Sequence, residues 1–224
     1  MQISRVLIAI CAVAGATSLS PALADSSDWY VGAGVGETTY GISGGDYALP
    51  SLTMVHGSQH TEDSATAFRF DLGYRFSRYL AVEGLYSNFG SASSSFTTTT
   101  PANHFTGSTK ISGEGVGVVG FLPLTGDFEF LGRAGLFRYK SDVNLAIATT
   151  STFPPVFTFS YPVSSTSGTT QYIGVGADYA LGRGLTLRAA WDYFRAKDNH
   201  VFTPYDTQEM FGVHLLSLEL LYSW

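Results

Sequence analysis

The chain has 224 residues, of which 45% are hydrophobic and only 13% charged, with 25 Gly, 16 Phe and 13 Tyr. The charged fraction is about half the ~25% usual for a soluble domain, and the chain is too apolar and aromatic to be disordered. With 12 Lys+Arg against 18 Asp+Glu, a formal net charge of −6 and no basic cluster, nucleic acid is excluded as a partner.

In chain order, residues 1–24 read as a cleaved secretory signal. Arg5 supplies the positive start, Val6 to Ala16 is an apolar run too short to span a bilayer as a helix, and Ala22-Leu23-Ala24 is a small-x-small cleavage site before Asp25. Cys11, the only cysteine, lies in this segment behind Ile10, where a lipid-anchor signal requires a small residue. Residues 25–224 are expected to form one domain, without disulfides or thiolate chemistry. No later apolar run reaches the ~18 residues of a membrane-spanning helix.

Beyond the signal the sequence alternates between aromatic, Val-, Leu- and Gly-rich runs with period 2 and polar stretches of Ser, Thr, Gly, Asn and Pro. Eight such runs, at 29–40, 64–76, 80–90, 110–122, 128–140, 169–181, 185–197 and 209–224, read as strands. Three connections are short, at Ser77–Tyr79, Pro123–Asp127 and Gly182–Gly184. Four are long, at 41–63, 91–109, 141–168 and 198–208. Short and long strictly alternate, so an antiparallel meander puts all turns at one end and all loops at the other, as in outer-membrane barrels. The runs also exceed the ~9–11 residues that a tilted strand needs to cross the hydrocarbon. The expectation is an all-β, eight-stranded antiparallel up-and-down transmembrane β-barrel. Both termini fall on the short-turn side, and the loops 41–63, 91–109 and 141–168 form the outer recognition surface.

Each strand has two faces. Leu185, Leu187, Ala189, Trp191 and Tyr193 alternate with Thr186, Arg188, Ala190 and Asp192, and Phe68, Phe70, Leu72, Tyr74 and Phe76 alternate with Arg69, Asp71, Gly73 and Arg75. The last run sets Leu216, Leu218, Leu220, Tyr222 and Trp224 against Ser217, Glu219 and Ser223. The polar face is rich in Gly and Ala and poor in Lys, Asn and Gln, which suits the crowded inside of a narrow barrel. A soluble lipocalin-like barrel would have the opposite polarity, with its apolar residues inside. Aromatics near strand ends, including Trp29, Tyr30, Tyr86, Phe89, Tyr139, Trp191, Tyr193, Tyr222 and Trp224, are expected to form two interfacial girdles. A charge on the lipid face costs ~2–4 kcal/mol at the midplane. Arg69, Asp71, Arg75, Glu83, Glu129, Arg133, Asp178, Arg188, Asp192 and Glu219 are therefore expected inside, as a salt-bridge network that plugs the bore. Glu114 falls in phase with Val116 and Val118, and register is weakly fixed in the Gly-rich first and fourth runs.

Trp29-Tyr30-Val31-Gly32-Ala33-Gly34-Val35-Gly36, Phe70-Asp71-Leu72-Gly73-Tyr74-Arg75-Phe76 into Leu80-Ala81-Val82-Glu83, and Leu122-Pro123-Leu124-Thr125-Gly126-Asp127 into Gly132-Arg133-Ala134-Gly135 come in an order and spacing that resembles the OmpA-like transmembrane-domain superfamily of small outer-membrane barrels of Gram-negative bacteria. The resemblance covers residues 25–224. It implies an outer-membrane location, membrane lipids and lipopolysaccharide as surroundings, a monomeric state and no cofactor. It also implies that Tyr222 and Trp224 form the signal read by the barrel assembly machinery, although Phe is the usual last residue. No cell-wall-binding domain is expected after the last strand.

The sequence offers little chemistry. Of the five His, His56, His60, His104 and His200 lie in expected loops, and His214 sits in the last strand on the opposite face from Ser217. His56, His60, Glu62 and Asp63 are read as a solvated loop rather than a metal site, and no nucleotide or zinc motif appears. The expected protein is thus a non-enzymatic barrel with a structural or surface-interaction role. A small pore is the alternative, and a lipid A-modifying enzyme ranks below it.

Overall fold

The computed structural model describes residues 28–41, 57–99, 102–149, 157–199 and 208–224, and the expected signal segment 1–24 lies outside them. The strands are β1 (Asp28–Tyr40), β2 (Gly57–Glu62), β3 (Ser64–Ser77), β4 (Leu80–Thr99), β5 (Ala102–Thr125), β6 (Phe128–Thr149), β7 (Phe157–Gly182), β8 (Leu185–Asn199) and β9 (Gln208–Ser223). Only Asp63 separates β2 from β3, and both pair with β4, so the two make one stave and the barrel has eight. All pairings are antiparallel, and β1 closes the sheet by pairing with both β3 and β9. The short turns are Arg78–Tyr79, Gly126–Asp127 and Arg183–Gly184. In the last, Arg183 and Gly184 both have positive φ, at 57° and 76°, the geometry of a tight hairpin whose twist matches its strands.

Register fixes the bore. A row of partners starting at Tyr30 passes through Gly73, Glu83, Gly117, Gly135, Tyr172, Phe194 and Val213 and returns to β1 at Tyr40, ten residues beyond its start. Such a stagger tilts the strands, and eight of them leave an interior just wide enough for side chains. The row explains its own glycines. A Cβ at Gly73 would run into the Tyr30 ring, and one at Gly117 or Gly135 into Tyr172.

Outside, the apolar positions form a continuous belt. It includes Trp29 and Val31 on β1, Phe68, Phe70 and Leu72 on β3, Val116 and Val118 on β5, Ile173 and Val175 on β7, and Leu216 and Leu218 on β9, all exposed. A soluble protein does not leave so large a contiguous apolar surface in water.

Two expectations are corrected. The segments 91–109 and 141–168 are not loops over most of their length. β4 and β5 stay paired from Ser91 opposite Lys110 to Thr99 opposite Ala102, and β6 and β7 continue to Thr149 opposite Phe157. Likewise, 57–62 of the expected loop 41–63 is strand β2. In 91–99 Ser and Thr fill nearly every position, so period 2 is silent there, yet a ladder of backbone hydrogen bonds needs no apolar face and Thr favours it, while Val143, Leu145 and Ile147 and Phe157, Phe159 and Tyr161 continue period 2 along β6 and β7. The girdle is corrected too: Tyr30, Phe89 and Tyr139 are buried inside the barrel, because parity along the strand and not nearness to its end decides which way a side chain points.

Candidate functional site: a filled bore

Inward-facing positions carry three layers. Near the short turns lie Tyr30, Ala81, Val119, Phe121, Leu131 and Leu221. The middle is charged. Toward the long connections comes a larger apolar cluster with Tyr40, Leu85, Phe89, Ile111, Phe137, Tyr139, Tyr172, Phe194 and Leu215.

Arg69, Asp71, Glu83, Arg133, Asp178, Arg188, Asp192 and Glu219 form the middle layer, each at most 3% exposed. The Arg69 Nε donates to Asp71 at 2.7 Å, its Nη1 to Asp192 at 3.0 Å and its Nη2 to Glu83 at 3.2 Å. Arg188 grips Asp178 bidentately, Nε to Oδ1 at 2.8 Å and Nη2 to Oδ2 at 2.9 Å, and gives Nη1 to Glu83 Oε2 at 2.8 Å. Arg133 donates Nε to Asp192 Oδ1 at 2.6 Å and Nη1 to Glu83 Oε1 at 3.3 Å, with Glu219 Oε1 at 3.5 Å from its Nη2. Glu83 is the hub. It accepts from all three guanidiniums and from the Tyr30 hydroxyl at 2.8 Å. Ser217 donates to Glu219 Oε1 at 2.7 Å, while Glu219 Oε2 has no hydrogen-bond partner and lies 4.0 Å from Arg188. The fork of each guanidinium suits shared, planar recognition of several carboxylates.

Arg75 and Glu129 stand apart from these eight. They pair bidentately at 2.9 Å, half-buried at the short-turn mouth, with the Arg75 guanidinium 4.1 Å from the Phe121 ring centroid. They line a small vestibule of about 90 Å³ together with Asp178 and Arg188.

Beyond the charged layer lies an aromatic one that hydropathy alone does not mark. Phe194 lies 4.9 Å from both Phe89 and Phe137, at 70° and 60°, and stacks on Tyr172 at 5.4 Å and 20°. The Tyr40 hydroxyl donates to the Phe89 carbonyl at 3.1 Å. The signal was present in the parity of Phe89 with Glu83, Phe137 with Arg133, and Phe194 with Asp192.

His214 faces outward between Trp191 and Tyr193, at ring distances of 5.6 and 4.9 Å, while Ser217 points into the bore. The two cannot act as nucleophile and base. His60 and His104 fall in β2 and β5, and His56 and His200 lie outside the described residues. Glu114 is exposed on the outer face with Val116 and Val118. Tyr222 and Trp224 stack at 6.1 Å, and the Trp224 amide donates to the Trp29 carbonyl at 3.1 Å.

Comparison with known proteins agrees with this geometry. The crystal structure of OprG from Pseudomonas aeruginosa aligns with a TM-score of 0.54 at 14% identity, over 89% of this chain and 96% of that one. Neisserial surface protein A aligns with a TM-score of 0.50 at 14% identity, over 88% and 97%. No curated protein matches the chain. The family model for the outer membrane protein beta-barrel domain matches residues 9–220, and with eight staves, an apolar outer belt and a charged interior the chain belongs to that family.

Proposed function

We propose that this protein is a closed, non-catalytic outer-membrane barrel whose strands carry stiff β-hairpins outward as an interaction surface. The observation that carries the reading is the filled bore. Eight buried charged residues share their bonds, and a layer of packed rings lies directly beyond them. Water or solute would have to displace paired charges, at a cost of several kcal/mol per ion left unpaired. The hairpins β4–β5 and β6–β7 give the surface a rigid form, since they continue as paired ladders well past the apolar belt. In this reading residues 1–24 export the chain and are removed before Asp25, and Tyr222 and Trp224 serve the assembly machinery.

Planar-bilayer recording with the purified barrel tests the closed bore. No reproducible conductance is expected, and channels whose size changes on Arg133→Ala or Arg188→Ala would establish a pore instead. Protease added to intact cells tests the display. Cleavage between Thr149 and Phe157 is expected, and protection of that segment would reverse the orientation.

A further inference from the structure

Three of the four interior guanidiniums are locked in the buried layer. The fourth, that of Arg75 on β3, reaches Glu129 on β6 with β4 and β5 between them, so this pair spans the short-turn mouth from one wall to another. Its side chains are 26% and 20% exposed, against at most 4% for the ion pairs of the layer. The guanidinium also donates through Nε to the Ser77 carbonyl at 3.4 Å and through Nη2 to the Arg78 carbonyl, and it rests on the Phe121 ring. These contacts tie it to the β3–β4 turn and to β5, and the bidentate grip on Glu129 carries it on to β6.

The vestibule of about 90 Å³ that the pair borders has room for a few water molecules. Its inner wall is the edge of the ionic layer. Register sets Glu129 opposite Asp178 and Asp178 opposite Arg188, so the row of partners that starts at the mouth runs straight into the layer. A second carboxylate stands ready for Arg75. Asp28 on β1 is directly opposite it in register, lines the same vestibule, and enters no ion pair among the described residues. Side chains paired in this way on one face start ~4.5–5.5 Å apart at Cβ, within reach of a turning guanidinium. The two positions are closely matched. Leaving Glu129 would set that carboxylate against Asp178, like charges directly opposite, while staying leaves Asp28 without a counter-charge. An ion pair this exposed is weak, so thermal motion exchanges the two.

We propose that Arg75 is a two-position strap over the short-turn mouth. Bound to Glu129 it closes the vestibule. Swung to Asp28 it opens the vestibule and admits water and small solutes as far as Asp178 and Arg188. The paired charges and the ring layer beyond stay shut in both positions, so the strap sets how wet the base of the ionic plug is, and not whether the bore conducts.

The experiment is thiol labelling of Thr186→Cys, at a position that lines the vestibule, in the full chain with its one native cysteine removed by Cys11→Ser. The reagent is a small neutral methanethiosulfonate, applied to the folded barrel in detergent. Glu129→Gln and Arg75→Ala should each speed labelling about five-fold, the loss of one partly exposed ion pair. Asp28→Asn should slow it by a similar factor, because the open position loses its partner. Arg183→Cys, in the exposed turn, should label at one rate in every background and so report any general change in reagent access. The opposite signs expected at the two carboxylates separate a strap from a mouth that has merely loosened, since loosening would speed both. Unchanged labelling in Glu129→Gln, or faster labelling in Asp28→Asn, would overturn the proposal. Heat-dependent gel mobility shows that each variant is folded. Arg75→Lys stands in for one that is not: it keeps the charge without the bidentate grip, and should open the mouth part-way.

Discussion

Along β4, Glu83 accepts hydrogen bonds from Arg69, Arg133, Arg188 and Tyr30, whereas Phe89, six residues further on the same inward face, packs edge-on against Phe137 and Phe194. One strand thus passes from an ionic plug to an aromatic one. In the ionic layer each guanidinium bridges two or more carboxylates, with Asp178 resting on Arg188 and Asp71 on Arg69, so removing one strands its partners in a space without bulk water. In the aromatic layer neighbours can close in when a ring is lost, and each ring pair adds only ~0.5–1.5 kcal/mol beyond its burial. The first plug is specific and brittle, and the second is tolerant.

The largest break in this contrast should come from Arg188→Ala. It leaves Asp178 and Glu83 short of a counter-charge and should cost about 3–5 kcal/mol in reversible unfolding from lipid vesicles. Phe194→Ala, at the centre of the ring cluster, should cost about 3 kcal/mol at the low end for a buried ring, with cooperativity unchanged. The double variant Arg188→Ala with Phe194→Ala sharpens the comparison. If the layers are independent, the losses add within roughly 0.5 kcal/mol. Gly117→Ala, which pushes a methyl into Tyr172 at the border of the layers, should cost about 1–3 kcal/mol by overpacking.

The smallest effect lies outside the bore. Hydrogen bonds from Lys140 and then Ser165 hold the Asp142 carboxyl below its ordinary value. Because the folded-state value is lowered, the contribution is present above the unfolded value and is lost as pH falls through the folded one. Lys140→Ala should move the Asp142 carboxyl titration upward by NMR, with no measurable change in unfolding.

The barrel was readable because half-buried strands write their two environments in alternate letters. Arg69 between Phe68 and Phe70, and Arg188 between Leu187 and Ala189, announce their side by contrast with their neighbours. The same contrast fails where both faces meet one medium. Ser93 to Ser95 and Thr97 to Thr99 put hydroxyls at successive positions of both parities, so their pairing leaves no trace in hydropathy. It fails again where both faces are apolar, as at Phe137 against Leu136, where an inward ring and an outward aliphatic look alike until each is counted in register with Arg133. Among the interior charges, parity indicated the side, but the choice of Glu83 as hub depends on cross-barrel distances that no local pattern records.

The seam between β1 and β9 has a kinetic consequence. Tyr30 pairs with Ser223 and Tyr40 with Val213, so the ladder that closes the barrel joins residues almost the full sequence apart. Until that ladder forms, β1 and β9 each present an open edge in a medium that offers no hydrogen bonds to satisfy it. Contacts of such long range are slow to form, since the loop-closure entropy is lost before the bonds are gained. Closure should therefore be the late, all-or-none step of assembly, with hairpins preformed and the two edges meeting last.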